Sequence, residues 1–382
     1  MAVDQLKSGA WRARFRGPDG RFISKSFKKD HPGGAKRAAQ RWEREERARL
    51  DRDGEAYVDH RAGRLTFREW SERWQAGHVC SPATAQKVAS ILRAHLLPAF
   101  GDRPLGAVRR SEVQRFVRDL SETHAPATVA LIYGYLSTIF KAAVLDRLLV
   151  ESPCREVRLP TVETRKVVPL TPEQVEALVS ELPERYRGLV LLVAGMGLRQ
   201  GEALGLTVEH VDFLRRRLRV EQQLTFVGGP LRLTDRLKTK ASRREVPMPQ
   251  SIVDALAAHL AAFPVMHPDG LLFVNDAGDG IRRTRFAETV WTPAVKRAGL
   301  PQGTGFHGLR HFYASLLIRH GESVKVVQER LGHKSAQETL DTYSHLWPDS
   351  EDRTRAAVDA VLGGFRVTGV SRGTGADRPQ AL

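Results

Sequence analysis

The feature that most constrains this chain is a set of six phosphate-handling side chains spread between Gly197 and His345. Arginine can bind two phosphate oxygens at once, lysine or histidine can protonate a leaving oxygen, and a tyrosine hydroxyl can attack phosphorus and hold it covalently. The set comprises Arg199, Lys238, His307, Arg310, His333 and Tyr343. A fold that gathers them would hold a phosphoryl-transfer site that works without a metal.

Short motifs surround these residues in a fixed order. They are Gly197-Leu198-Arg199-Gln200-Gly201-Glu202, Leu237-Lys238-Thr239-Lys240, His307-Gly308-Leu309-Arg310-His311, Leu331-Gly332-His333 and Asp341-Thr342-Tyr343-Ser344-His345. The order and the residue types resemble the tyrosine recombinases, the phage-integrase family. That family's pattern is G-x-R-x-x-E, a lysine in a β-turn, H-x-x-R, L-G-H and a final tyrosine. The resemblance is closest from about Val167 to Ala360.

The resemblance implies that Arg199 and Arg310 clamp the phosphate and that Glu202 supports Arg199. By residue type alone, Arg199 and Glu202 could equally form a structural ion pair. His307 and Arg310 are three residues apart, so on a helix they share a face and can reach one ligand. A lone H-x-x-R pair is common by chance, and it is the order of the motifs that gives this pair weight.

For the remaining residues, the resemblance implies that Lys238 protonates the leaving 5′ oxygen, with Lys240 as the second candidate. His333 would bind the phosphate or position the nucleophile, and Tyr343 would be the nucleophile. Without the resemblance these would be a surface lysine, a residue at a helix end and a packing tyrosine. A phenol has a pKa near 10, so it needs a base or a charge-stabilised transition state. Two flanking histidines are assigned structural or accessory roles: His311 and His345.

The implied reaction is site-specific DNA recombination. Tyr343 attacks a phosphodiester, a 3′-phosphotyrosyl link forms, and the 5′ hydroxyl of a partner strand later rejoins the backbone. The link stores the bond energy, so no cofactor, ATP or metal is expected. Two rounds of exchange imply a tetramer on two DNA sites. A helix over about 348–362 would dock on a neighbouring protomer or on its own domain, and the sequence favours neither.

Charge and length agree with a DNA partner. The 382 residues suggest two or three domains, and the net charge of +16 with a pI of about 10.3 favours a polyanion. Anionic membrane surfaces also attract basic chains. No segment is expected to approach the ~20 apolar residues of a membrane span, and the apolar run Gly188–Leu198 reads as a buried helix. The N-terminus has no signal-peptide pattern. Cys80 and Cys154 show no paired spacing, which favours a reducing cytoplasm.

The first segment, residues 1–60, predicts a small sheet packed on one helix. Trp11–Arg16 and Arg21–Phe27 alternate around a Gly-Pro-Asp-Gly turn and predict a hairpin, and a helix is expected over 35–52. It resembles the arm-type DNA-binding domain of many phage integrases, although a solvated charged surface is the ordinary alternative. Its candidate DNA contacts are Arg12, Arg14, Arg16, Arg21, Lys25 and Lys28.

After a polar linker, residues 65–160 predict a helical core-binding domain. Thr66 and Ser111 each begin a capping-box pattern, and apolar residues recur at helical spacing, among them Leu131 and Leu136. An ordinary helical bundle would look the same. The candidate DNA contacts in this region are Thr84, Lys87, Arg93 and Lys141.

Residues 167–362 predict a mixed α+β catalytic domain, and 363–382 a disordered tail. Thr171 and Pro172 open its first helix, a strand is expected over 217–226, and a helix over 284–299. Lys240 and Arg243 are the candidate DNA contacts here. The fold class is therefore multidomain and mainly α: a small N-terminal sheet-plus-helix domain, a helical bundle and a catalytic domain of the tyrosine recombinase type.

Several functions compete with that of a phage-like integrase. A housekeeping resolvase of the same family usually begins at the core-binding helices, so the basic N-terminal segment argues against it. A tyrosine-type topoisomerase would not need this segment. A DNA-binding regulator without catalysis is the alternative from another class. For an integrase, the arm domain suggests two further partners, a host DNA-bending protein and an excision factor.

Overall fold

The computed structural model describes residues 3–17, 22–53, 62–163, 166–226, 229–237, 239–347 and 351–362, with side chains from 354 in the last range. Arg21, Lys238 and the 363–382 tail lie outside these residues. Most of the Gly-Pro-Asp-Gly turn and most of the predicted linker do so as well. The chain divides into two compact units, residues 1–164 and 165–382.

The first unit begins with a three-stranded antiparallel sheet and a helix. The elements are β1 (Val3–Gln5), β2 (Trp11–Arg16), β3 (Phe22–Phe27) and α1 (Ala35–Asp53). The predicted hairpin pairs β2 with β3, from Trp11 opposite Phe27 to Arg16 opposite Phe22. Strand β1, which the sequence analysis missed, pairs with β2. Ala13, Phe15 and Phe27 form a core with Ala39 and Trp42 of α1.

The rest of the first unit is helical around one core. Its helices are α2 (Phe67–Gly77), α3 (Pro82–Ile91), α4 (Leu97–Phe100), α5 (Arg110–Ser121) and α6 (Pro126–Leu145), with a π-helical turn at Leu92–Leu96 before α4. The Thr66 capping box is confirmed: its side chain accepts from the amide of Glu69, whose carboxylate accepts from the amide of Thr66.

Two details of the helical prediction are wrong. Helix α5 starts before Ser111, because the Glu112 carboxylate accepts from the backbone amide of Arg109 and fixes the cap there. Gln114, the expected capping partner, instead pairs with the backbone of Arg158. Leu131 is 37% exposed, while Leu136 is buried. The neighbouring residues of α6, not Leu131, face the core.

One helix in the described part of the chain is long and apolar enough to cross a membrane by length and composition, Pro126–Leu145. This corrects the expectation that no segment approaches that length. Six of its residues are buried in the helical core: Val129, Ile132, Leu136, Ile139, Phe140 and Ala143. A helix that buries its side chains in a protein core is also apolar, so length and composition alone do not distinguish it from a membrane span.

The second unit packs helices around two small sheets. Its helices are α7 (Pro172–Ser180), α8 (Glu184–Met196), α9 (Gln200–Leu204), α10 (Gln250–Ala262), α11 (Arg283–Phe286), α12 (Thr292–Arg297), α13 (Gly308–Arg319), α14 (Val324–Leu331), α15 (Ala336–Tyr343) and α16 (Glu351–Leu362). The strands are β4 (Val211–Asp212), β5 (Arg217–Val220), β6 (Gln223–Phe226), β7 (Leu231–Thr234) and β8 (Arg244–Pro247). The Thr171 capping box is confirmed, and so is the buried helix at the apolar run, which is α8.

Two predicted elements of this unit are interrupted. The strand over 217–226 is split, because β5 pairs with β8 whereas β6 pairs with β7. Between them, the Gln222 side chain donates to the carbonyl oxygen of Gly205 at 2.9 Å. The helix over 284–299 contains a π-helical stretch, Ala287–Trp291, just before Pro293. Proline has no N–H for the helical ladder, so the hydrogen-bond pattern changes there.

Candidate active site

Arg199 lies where α8 ends and α9 begins. Gly197 ends α8 in the left-handed conformation, with φ of 65°, and Arg199 then precedes the first residue of α9. The carboxylate of Glu202 accepts from the backbone amide of Arg199 at 3.0 Å and from its Nη1 at 2.8 Å. Glu202 is 3% exposed, whereas the Arg199 side chain is 23% exposed. The guanidinium is therefore held by a buried carboxylate and still reaches solvent.

Arg244 is a buried member of the same cluster that the sequence analysis did not single out. Its Nη2 donates to Glu202 at 2.9 Å, and its side chain is 6% exposed. Burial opposes ionisation of Glu202, but Arg244 and then Arg199 outweigh it and hold the pKa of this carboxyl below its usual value. Glu202 is therefore ionised, and it links two arginines.

The end of α14 contacts three arginines at once. Three consecutive carbonyl oxygens there each accept a hydrogen bond from a different arginine. The pairs are Arg244 with Arg330 (2.8 Å), Arg310 with Leu331 (2.7 Å) and Arg199 with Gly332 (2.9 Å). The last carbonyls of a helix have no partner within it and carry partial negative charge. The three arginines carry more positive charge than the Glu202 carboxylate can neutralise, and the carbonyls at the helix end compensate part of the excess.

Gly332 is required at this helix end for two reasons. It adopts φ of 64°, which favours glycine. A Cβ at this position would lie 2.9 Å from the carbonyl oxygen of Ala241 and 3.0 Å from Nη1 of Arg244. The glycine of the Leu-Gly-His motif therefore lets the arginine cluster pack directly on the backbone that leads to His333.

Arg310 is the most deeply buried of the clamping candidates, at 2% exposed. Besides Leu331, it donates to the carbonyl oxygen of Gly197 at 2.7 Å. Burial, followed by repulsion from Arg199 and Arg244, lowers the pKa of Arg310 to about 9. It is still charged at neutral pH, and in the described part of the chain its hydrogen bonds go to backbone carbonyls, so a phosphate would give it an anionic partner.

Tyr343, the last residue of α15, is 1% exposed. Its hydroxyl lies 2.8 Å from Nδ1 of His311, and its ring is stacked on the ring of His333, at 6.4 Å between centroids and 9° between planes. Burial raises the pKa of Tyr343 to about 12. The contact with His311 is one that the sequence analysis did not anticipate.

His333 and His307 flank this tyrosine and the clamp. Nδ1 of His333 lies 2.8 Å from the hydroxyl of Thr339, which fixes the ring. Burial, and then Arg310, lowers the pKa of His333 to about 4, so this imidazole is neutral at pH 7. His307 precedes the first residue of α13, and its ring packs edge-on against His311 at 4.7 Å.

The lowered pKa of His333 predicts a loss of stability in acid. Between pH about 6.5, the ordinary pKa of histidine, and pH about 4, His333 binds a proton in the unfolded chain but not in the folded one. The free energy of unfolding should therefore fall by up to about 1.4 kcal/mol per pH unit in this window, roughly 3 kcal/mol in total. Urea denaturation of wild type and His333→Asn at a series of pH values measures this. Asparagine keeps an acceptor for Thr339, so equal pH dependence of the two proteins would contradict the assignment.

The loop of Lys238 runs into the cluster. Lys238 itself lies outside the described residues, but Ser242, four positions on, is fully buried. Its hydroxyl accepts from Nη1 of Arg199 at 3.2 Å and lies 3.0 Å from that of Thr239. Lys240 and Arg243 are exposed on the same loop.

The N-terminal sheet separates its predicted DNA contacts by face. Arg12, Arg14 and Arg16 alternate with Ala13 and Phe15, so they lie on the face opposite α1. On this face Phe22 is 61% exposed, with the guanidinium of Arg16 at 5.3 Å and that of Arg14 at 5.8 Å from its ring.

Lys25 lies on the other face of this sheet. It pairs with Ala13, and its Nζ lies 5.3 Å from the ring of Phe27 and 5.9 Å from that of Trp42. Lys28 is exposed beyond the end of β3. In the helical part, three of the predicted contacts have exposed side chains: Lys87, Arg93 and Lys141. The fourth, Thr84, is half-buried at the start of α3.

Arg244 and His311 are the members of the cluster that sequence reasoning undervalued. The signal for His311 was its position, next to Arg310 and four residues after His307, where a helix repeats its face. Arg244 gave no local signal, because its burial depends on Glu202 and on the end of α14.

Comparison with known proteins identifies the family. The family model for the phage integrase family matches residues 169–349, and the model for the phage integrase central domain matches 64–160. A putative prophage phiRv2 integrase of Mycobacterium tuberculosis is 28% identical over 367 residues, covering 94% of this chain and 95% of that protein.

Solved structures share the fold. The Tn1549 transposon integrase in complex with a circular intermediate DNA has a TM-score of 0.66 at 22% identity, covering 78% of this chain and 99% of that one. A lambda integrase tetramer bound to a Holliday junction has a TM-score of 0.57 at 17% identity, covering 88% and 96%. With the ordered motifs and the clustered arginines, histidines and tyrosine, the two family-model matches show that the chain belongs to the phage integrase family, the site-specific DNA recombinases of the tyrosine type.

Proposed function

We propose that this recombinase integrates or excises a phage-like mobile element by cutting DNA through a 3′-phosphotyrosyl link to Tyr343. The observation that carries the proposal is the position of the Tyr343 hydroxyl, within a cluster that holds Arg310 and His333. Among the described residues Glu202 is the carboxylate that Arg199 and Arg244 share, so Arg199 and Arg310 would take up the phosphate charge and stabilise the transition state. The proposal needs neither a metal nor another cofactor.

Each residue has one role in this proposal. Arg199 and Arg310 clamp the phosphate, Glu202 holds Arg199, and Lys238 protonates the leaving 5′ oxygen. The half-buried turn that follows Lys238 supports this role, because its Ser242 reaches Arg199. The two predicted histidines, His307 and His333, bind phosphate oxygens.

The nucleophile is buried in the structure. With Tyr343 at 1% exposure, the phosphate can reach the hydroxyl only after α15 shifts. DNA binding would supply the driving force, because the anion replaces the backbone carbonyls as partner of the arginines.

The division of labour along the chain is part of the proposal. Residues 1–60 would bind arm-type DNA sites, 65–160 and 167–362 the crossover site, and 363–382 would be a tail. The exposed side chains of Arg14 and Arg16 support the first role, whereas Arg12 is half-buried and paired with Asp4 at 2.6 Å. The protein would act as a tetramer on two duplexes in the cytoplasm, with a host DNA-bending protein and an excision factor setting direction.

Covalent trapping tests the proposal and needs no defined DNA site. Wild-type protein is incubated in EDTA with a pool of nicked duplexes of randomised sequence, in which the fragment next to the cut diffuses away. We expect a protein–DNA band on denaturing gels, and mass spectrometry should place the nucleotide on Tyr343. The recovered duplex then serves as substrate for the variants below. A pool that is bound in gel-shift assays but never linked would favour the DNA-binding regulator instead.

A further inference from the structure

The contact between His311 and Tyr343 has a chemical consequence. Nδ1 of His311 lies 2.8 Å from the phenolic oxygen, and the two rings meet edge to face at 5.6 Å. When Nε2 carries the ring proton, the hydroxyl donates to Nδ1. The charge of Arg310 also acts on His311 and lowers its pKa, after burial, so a phosphate held by that arginine would lie near the same imidazole.

We propose that His311 is the general base of strand cleavage, taking the proton of the Tyr343 hydroxyl at Nδ1. This rests on the proposed role of Tyr343 as nucleophile. His311 is a catalytic residue on this view, and not the accessory histidine that the sequence indicated. Its contact with Tyr343 is kept as α15 opens, because the phosphate that Tyr343 must reach is bound next to His311.

The step balances in protons and electrons. The phenolic oxygen forms a bond to phosphorus while the bond from phosphorus to the 5′ oxygen breaks, and its electron pair stays on that oxygen. The phenolic proton goes to Nδ1 of neutral His311, and the 5′ oxygen takes a proton from the general acid, Lys238 in the proposed function. Religation reverses both transfers, so imidazolium returns its proton to the phenolate.

The electrostatics of the cluster suit a base that works in concert with bond formation. Burial, and then Arg310, lowers the pKa of His311, so the ring is neutral and able to accept at pH 7. A phenol with a pKa of about 12 does not ionise by itself at that pH. It loses its proton as the bond to phosphorus forms, when its acidity rises. A phosphate on Arg310 offsets the charge that depresses the His311 pKa, and so makes the base stronger.

Charged and titratable groups surround His311 in the cluster. The charged ones are Arg310 on its own helix, Glu338 on α15, and Arg199 and Arg244 beyond Arg310, and the neutral titratable ones include Tyr343 on α15 and His333 before α15. His307, which precedes α13, packs against the His311 ring. Because DNA binding changes the charge balance of this group as a whole, pH profiles are compared between proteins that differ only at position 311.

The variant His311→Asn separates proton acceptance from positioning. The asparagine carbonyl oxygen lies near the place of Nδ1, so it can still hold the hydroxyl, but it cannot take the proton. Single-turnover cleavage of the trapped duplex is measured from pH 6 to pH 10. We expect the variant to be about 10²- to 10³-fold slower at pH 7. Its rate should then climb about tenfold per pH unit, as free phenolate becomes available, while the wild-type rate levels off above the His311 pKa.

A substrate with sulfur in place of one oxygen shows whether a slow variant lacks the general base or the general acid. With sulfur in place of the bridging 5′ oxygen, the leaving thiolate has a parent thiol pKa of roughly 8.5 and needs no acid. The defect of Lys238→Ala should disappear with this substrate, and that of His311→Asn should remain. Gel shifts and thermal melting confirm that both variants bind DNA and fold.

Two results would overturn the inference. One is a His311→Asn protein that cleaves with the wild-type rate and pH profile, and the other is its full rescue by the sulfur substrate. Either result would leave the Tyr343 adduct of the wild type intact. If the wild type formed no adduct, the proposed function would fail before this comparison was made.

Discussion

Replacing Tyr343 with phenylalanine is expected to abolish strand cleavage, with a loss of at least about 10⁴-fold, since the proposed nucleophile is removed. DNA binding should be unchanged, because the phenol carries no charge at neutral pH. The ring still stacks on His333. Only the hydrogen bond to His311 is lost, which costs about 1 kcal/mol of stability. Denaturing gels measure the adduct, and gel shifts measure binding.

Tyr313→Phe is the matched control. Tyr313 is another tyrosine of the same small core, 7% exposed, on α13. Losing its hydroxyl should leave the adduct at the wild-type level. Adduct formation by the Tyr343→Phe protein would remove Tyr343 from the mechanism, whereas equal losses in both variants would point to a structural effect on the core.

The elements that sequence predicts best are those fixed by neighbouring residues. The capping boxes at Thr66 and Thr171 each need only a partner three positions on, and both form. Ser111 presents the same pattern, but Glu112 caps the helix two residues earlier through Arg109. The Ser111 hydroxyl and the Glu112 carboxylate thus offer two overlapping caps. The carboxylate forms the cap because it is the stronger acceptor for a backbone amide.

The elements that sequence predicts poorly depend on distant partners. The break between β5 and β6 arises because β5 pairs with β8 while β6 pairs with β7. Nothing in residues 217–226 alone shows this. Leu131 has helical spacing, yet it lies at the edge of the buried face of α6.

The site shows the same contrast. The residue types and motif order indicated Arg199, Arg310, His333 and Tyr343, because chemistry limits which side chains can handle phosphate. Apart from Glu202, what holds the arginines together could not be predicted, since it consists largely of backbone carbonyls. The end of α14 meets Arg244 from 86 positions away and Arg199 from 133. Such contacts leave no signature in side-chain type.

Arg310→Lys is expected to reduce cleavage by about 10³-fold at pH 8, although the substitution is nominally conservative. Arginine remains charged in this environment because its pKa is lowered only to about 9. A lysine starts from a lower pKa of about 10.4, and the same burial and repulsion would lower it further. A larger share of the lysine would therefore be neutral at pH 8 than at pH 6. The variant should therefore be less impaired, relative to wild type, at pH 6 than at pH 8.

Geometry adds to the defect of Arg310→Lys and defines its control. Arg310 donates to the carbonyl oxygens of Gly197 and Leu331, and a single ammonium cannot serve both and a phosphate in the same fork geometry. One carbonyl left without a partner costs roughly 1 to 3 kcal/mol of stability. Arg319→Lys, an exposed change at the other end of α13, should match the wild type in single-turnover rate at both pH values. A rate for Arg310→Lys that is within tenfold of wild type at pH 8 would show that the phosphate clamp needs neither the fork nor the high pKa of arginine.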